Sequence, residues 1–129
     1  MSTGVVVVTH GEAAISMVEA AERVVGRLDV ATVTVGINEP RLAIEDRLEH
    51  AVESLAADEV LFLVDLEGST PFNLCCRRCG GTSLVLTGMN LPMLFKLATA
   101  DRTQGAAVLA EELRATGMKS IHIRAGGQS

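Results

Sequence analysis

His10, Asp65 and the Thr70-Pro71 pair are the residues whose types and spacing suit the handling of a phosphoryl group. His10 ends the run "VVVVTH", Asp65 ends the apolar run Val60 to Val64, and Thr70-Pro71 follows five residues later. A neutral imidazole nitrogen attacks phosphorus, and a carboxylate bonded to the other ring nitrogen fixes the tautomer and stabilises the ring once it becomes cationic. Thr70 precedes Pro71 as a cap precedes the first helical residue, so its hydroxyl and the amides of that turn make an anion seat at the positive end of a helix dipole. A helix after Gly11 brings further amides beside His10. The expected site therefore has His10 as nucleophile, Asp65 as orienter, and Thr9, Gly11, Ser69 and Thr70 around the phosphoryl group.

The sequence has neither G-x-x-x-x-G-K-[ST] nor a G-x-G-x-x-G after a strand. A phosphate handled here is thus expected to arrive on a partner rather than on a bound nucleotide, and no cofactor is expected.

The elements that must position these residues are legible in the hydrophobic pattern. Gly4 to Val8 is a continuous apolar run, as in a strand covered on both faces. Ala14, Met17, Val18, Ala21, Val24 and Val25 then recur at helical spacing up to Gly26. Val30 to Val35 reads as a second strand, and "NEP" (Asn38 to Pro40) as an Asn cap with Pro in the first turn of a helix running to about Ala57. Val60 to Val64 is a third strand. Pro71 starts a helix that Gly80-Gly81 ends, and Ser83 to Leu86 is a fourth strand. Helices follow from about Leu91 to Ala98 and Thr103 to Thr116. "SIHIRA" alternates like a last strand with one exposed face.

Strands alternating with helices predict a three-layer, doubly wound α/β fold with a mostly parallel sheet. Ligands in such folds sit beyond the carboxyl ends of the strands, where His10 lies.

The chain has 129 residues, enough for one domain spanning 1–129 with a short tail from about residue 125. Trp and Tyr are absent and only three Phe occur, so Val, Leu, Ile, Ala and Met must build the core. No apolar run approaches the roughly 18 to 20 residues of a membrane span, and no basic segment precedes a long apolar one at the N-terminus. A cytoplasmic protein without membrane insertion is expected. A formal charge of −5 with scattered basic residues argues against nucleic acid.

Other reactive residue types read as structural. Cys76 and Cys79 form a C-x-x-C late in a helix, where a redox pair lacks its helix N-terminus and zinc lacks further ligands. His50 belongs to a solvated face, and His122 to the last strand or a dimer contact. Glu45, Asp46, Arg47 and Glu49 are the polar face of a helix. Met89 and Met93 suit the core, although beside a site they suit a partner.

Three stretches, "VVVTHG" near the N-terminus, "FLVDLEGSTPFN" at Phe62 to Asn73 and "GMNLPML" at Gly88 to Leu94, stand in register. Together they resemble the IIA component of the mannose family of the bacterial phosphoenolpyruvate-dependent sugar phosphotransferase system, over nearly the whole chain. The resemblance implies that His10 is phosphorylated, that Asp65 is its partner carboxylate, and that Thr70 stands where the family usually has a serine bonding the phosphoryl oxygens. It further implies transfer from a histidine-containing phosphocarrier protein to a IIB component, without metal; that component is expected on a separate chain. Dimers are implied as well, with the last strand antiparallel at an edge or exchanged between copies. Beside the site, Met89, Asn90 and Pro92 are expected to face a partner protein.

The chain also departs from that family. Glu67, Gly68 and Ser69 replace an aromatic residue and paired glycines, and Glu12 follows Gly11; two extra carboxylates oppose an incoming dianion. Two other readings therefore stay open: a IIA-like regulatory domain whose phosphorylation a partner reads, and the phosphocarrier subunit of a dihydroxyacetone kinase. A receiver domain phosphorylated on Asp65 would need an acidic pair where Thr9-His10 stands, together with a lysine ending the last strand.

Overall fold

Strand β1 (Thr3–His10) is buried from Thr3 to Thr9 and surfaces only at His10. A computed structural model describes residues 2–78 and 82–127 and places β1 in the interior of a four-stranded parallel sheet. The chain continues through α1 (Ala13–Val25), β2 (Ala31–Val35), α2 (Arg41–Leu55), β3 (Glu59–Val64), α3 (Thr70–Arg78), β4 (Leu84–Thr87), α4 (Leu91–Leu97), a 3₁₀ turn (Arg102–Gln104) and α5 (Ala106–Lys119). The strand order is β2-β1-β3-β4, with Val8 opposite both Val33 and Val64.

The apolar run of β1 is continuous because helices cover both faces. Val5 and Val7 join Leu61 and Leu63 beneath residues of α1, α4 and α5, such as Val18, Leu94 and Leu109. Val6 and Val8 point the other way, to Val33, Phe62, Ile44, Leu48 and Leu74 of β2, β3, α2 and α3. Burying one such side chain contributes about 1.5–3 kcal/mol, so the two cores hold the sheet rigid beneath its loops.

Four details differ from expectation. Asn38 does not cap α2: it occupies the left-handed region (φ 59°), which Asn tolerates, while Pro40 takes the cap position with φ −60° and ψ 135°. The turn is one residue longer than the Asn-Pro spacing suggests because the Glu39 carboxylate accepts the Gly36 N–H (2.9 Å) and closes it. Ser69, not Thr70, caps α3: the Ser69 hydroxyl accepts from the Phe72 N–H (3.3 Å), and Thr70 is already helical. The helix expected from Thr103 is a 3₁₀ turn held by Asp101, then α5 from Ala106 to Lys119.

The fourth difference is the tail. Residues 121–125 form no strand within the chain, and Ile121 and Ile123 are exposed. Alternation alone does not make a strand; it needs a ladder partner, and among the described residues the sheet ends at β4. His122 lies on this exposed tail. Cys75 is buried in the core and Cys76 is exposed, while Cys79 and Gly80-Gly81 lie outside the described residues. Among the described residues, no helix is long and apolar enough to cross a membrane.

Candidate functional site

Because β1 lies between β2 and β3, the loops that follow those two strands rise on either side of His10. Gly11, with φ 52°, turns the chain from β1 toward α1 in a conformation that favours glycine, and its N–H donates to the Val35 carbonyl of β2 (2.9 Å). That amide is thereby committed to the fold. Thr9 is fully buried, and its hydroxyl accepts the Ala14 N–H (2.6 Å) at the start of α1. Expected beside the phosphoryl group, Thr9 instead secures the helix behind it.

On the β3 side, the register that sets Val8 opposite Val64 brings Asp65 to His10. Asp65 Oδ2 lies 2.8 Å from His10 Nδ1 and also accepts the His10 backbone N–H (3.1 Å). A carboxylate only accepts, so in the neutral ring Nδ1 is the protonated nitrogen and Nε2 the one with the lone pair. The ring is 52% exposed and Asp65 26%. The second carboxylate oxygen, Oδ1, is buried without a hydrogen-bond partner, so the oxygen facing the histidine carries both bonds.

His10 opens into a cleft of about 640 Å³ lined by residues 35–39, Gly11, Ile44 and Thr70. Thr70 is exposed there at the first turn of α3, whereas the Ser69 hydroxyl, besides capping, donates to the Leu66 carbonyl (2.6 Å). Of the two hydroxyls expected at the anion seat, Thr70 thus lines the histidine's cleft and Ser69 is occupied in the loop. Beyond β4, Met89 is buried in the core and donates its N–H to the Val64 carbonyl (3.1 Å). Asn90 caps α4 through the Met93 N–H (3.3 Å) and donates to the Gly117 carbonyl (3.2 Å), while Pro92 is half-buried in the first turn of α4. Expected to face a partner, Met89 instead packs inward and Asn90 ties α4 to α5.

The residues missed by sequence reasoning are Glu39 and Arg47. Arg47, read as part of a polar helix face, reaches from α2 to the β2 end, where it donates to the Thr34 carbonyl (2.7 Å) and grips both Glu39 carboxylate oxygens, one at 2.7 Å. These bonds, with that from the Gly36 N–H, lower the Glu39 carboxyl from 4.5 to about 2, and the same pairing raises the Arg47 guanidinium. The pair clamps one wall of the cleft. Its separation of eight residues across a turn and a helix matches no local motif.

Among the described residues, no group of three or more His, Cys, Asp or Glu side chains is placed to hold a metal ion.

Fold and site together define a parallel α/β domain that presents a carboxylate-oriented histidine at the carboxyl end of its sheet. Residues 4–113 match the family model of the PTS system fructose IIA component, of the mannose type, and the chain belongs to this family. The structure is similar to the mannose/sorbose specific IIA subunit of the phosphotransferase system from Enterococcus faecalis (25% identity, 100% of this chain and 99% of that one, TM-score 0.84). It is also similar to the PTS IIA protein associated with the fucose utilization operon from Streptococcus pneumoniae (25%, 95% and 93%, TM-score 0.81). A sigma-54 interaction domain protein from Enterococcus faecalis shares the fold at 17% identity (92% of each chain, TM-score 0.70).

Proposed function

We propose that this chain is a phosphohistidine carrier that accepts a phosphoryl group on His10 from a histidine-containing phosphocarrier protein and passes it to a IIB component. The observation that carries the reading is the 2.8 Å contact between Asp65 Oδ2 and His10 Nδ1, which leaves Nε2 as the nucleophile. Nε2 attacks the phosphorus of the donor's phosphohistidine, the donor's N–P bond breaks, and its ring nitrogen leaves with the electron pair. Nδ1 keeps its proton, so the imidazolium that results faces the Asp65 carboxylate. Thr70 at the head of α3 meets the phosphoryl oxygens, and the helix dipole favours their charge. Transfer to IIB reverses the step, and both exchanges take place in the cytoplasm.

The same reading includes a homodimer. Among the described residues no further strand lies on the β4 edge, and a cleft of about 270 Å³ beside it is lined by Leu86, Met93, Met118 and Ile121 among others. The exposed tail of one copy then covers the edge of its partner.

Incubation with phosphoenolpyruvate, enzyme I and the phosphocarrier protein, read by intact mass, tests the carrier function. One acid-labile phosphoryl adduct on the wild type and none on His10→Ala is the expected result; a folded wild type that takes up no phosphoryl group would refute it. The exposed Glu12 and Glu67 near the site favour the second reading, a regulatory domain, and a phosphorylated wild type that passes nothing to any IIB component would select it.

A further inference from the structure

Two large apolar side chains stand exposed on the loops that flank His10. Ile37, 95% exposed, belongs to the β2–α2 loop; Leu66, 59% exposed, belongs to the β3–α3 loop on the other side of β1. Isolated exposed apolar residues are ordinary on a protein surface. These two are not placed at random, because the strand order β2-β1-β3 puts one on each side of the reactive ring.

Both loops are also held. The Glu39 carboxylate, gripped by Arg47, takes the Gly36 N–H next to Ile37, and Arg47 anchors the assembly to the Thr34 carbonyl. Leu66 gives its carbonyl to the Ser69 hydroxyl. The ordering entropy of an apolar contact is thus largely met before any partner arrives, which raises the affinity each contact yields.

We propose that Ile37 and Leu66 are apolar anchors for the protein that docks over His10, and that Glu39 and Arg47 are positioning residues that present Ile37 to it. The inference rests on the reading of His10 as a phosphoryl acceptor. The occupant is the phosphocarrier protein, the proposed donor, which approaches Nε2 between the loops that follow β2 and β3. Exposed Glu12 and Glu67 give this face carboxylates, so the complementary surface combines apolar side chains with basic ones around its own histidine.

The test separates docking from chemistry. The dissociation constant of the unphosphorylated phosphocarrier is measured by NMR titration, and transfer kinetics with the phosphorylated form, for wild type, Ile37→Ser, Leu66→Ser, Glu39→Ala and Arg47→Lys. Each anchor variant is expected to weaken binding and raise KM about tenfold, with kcat within about twofold of wild type, a cost typical of truncating one central apolar contact. Glu39→Ala and Arg47→Lys should raise KM about three- to tenfold, again at nearly unchanged kcat.

Ile37→Ser leaves the core untouched, so its result is free of folding effects. Unchanged dissociation constants in Ile37→Ser and Leu66→Ser overturn the anchors. A fall in kcat at constant KM in the Glu39 and Arg47 variants overturns their positioning role. Weakened binding that tracks a loss of dimer by light scattering reassigns Ile37 and Leu66 to a second copy of this chain, and also overturns the proposal. A wild type that binds the phosphocarrier but takes no phosphoryl group defeats the carrier function and leaves the anchors standing.

Discussion

Asp65 does two jobs with one oxygen, holding the His10 ring through Nδ1 and the end of β1 through the His10 backbone N–H. Asp65→Asn keeps the shape and removes the charge that faces the imidazolium. It should lower the rate of His10 phosphorylation by roughly 10²- to 10⁴-fold, as for the orienting carboxylate of other His-dependent sites, with little change in KM for the phosphocarrier. Rapid-quench transfer kinetics check this, and a loss under about threefold would reduce Asp65 to a structural residue. Thr70→Ala removes a single hydroxyl that would meet a charged group, so about a tenfold loss is expected, restored by Thr70→Ser. Ser69→Ala should act differently: it removes the cap of α3, costs about 1 kcal/mol of stability and alters transfer less than Thr70→Ala.

At the scale of the elements, the ends of helices are tied down by residues far away in sequence. Glu59 of β3 accepts the Ala106 N–H (2.6 Å) at the start of α5, and that bond, first among its partners, lowers the Glu59 carboxyl below its ordinary 4.5. Because the folded-state value is depressed, the stabilisation is complete above the unfolded value and fades as pH falls through the folded one. Urea midpoints of wild type and Glu59→Gln should therefore differ near neutral pH and converge as the pH drops below 4.5. Helices α4 and α5 meet at Gly117, where an added Cβ would lie 2.5 Å from Met93 Cε and 3.1 Å from Asn90 Oδ1. Met93 is buried, so Gly117→Ala forces repacking; thermal or urea unfolding should show a loss of about 1–3 kcal/mol.

For the whole molecule, the open β4 edge and the exposed tail decide whether the chain works alone. Ile123 is 98% exposed and Ile121 74%, an arrangement that leaves apolar surface uncovered in a single copy. Light scattering should give a dimer for the wild type and a monomer for Ile121→Asp/Ile123→Asp, with His10 phosphorylation retained, since both residues lie outside the cleft that His10 lines. A monomeric wild type would remove the dimer from the proposed function.

Much of this molecule is determined by local sequence. Continuous apolar runs at Val5 to Val8 and Val60 to Val64 need cover on two faces, and helical spacing after Gly11 supplies part of it, so a layered parallel α/β fold follows. The pairing of His10 with Asp65 was legible because each ends such a run, and parallel strands bring their ends to one edge of the sheet. Only the tertiary structure decided what pairs across distance. The β1–β3 register sets Asp65 against His10, 55 residues away, and the turn between β2 and α2 sets Glu39 within reach of Arg47. Burial turned Thr9 from the site to a helix end, and the loop geometry gave the α3 cap to Ser69 instead of Thr70. The tail marks the same boundary: alternation was visible in "SIHIRA", but a strand exists only where another strand lies beside it, and among the described residues none does.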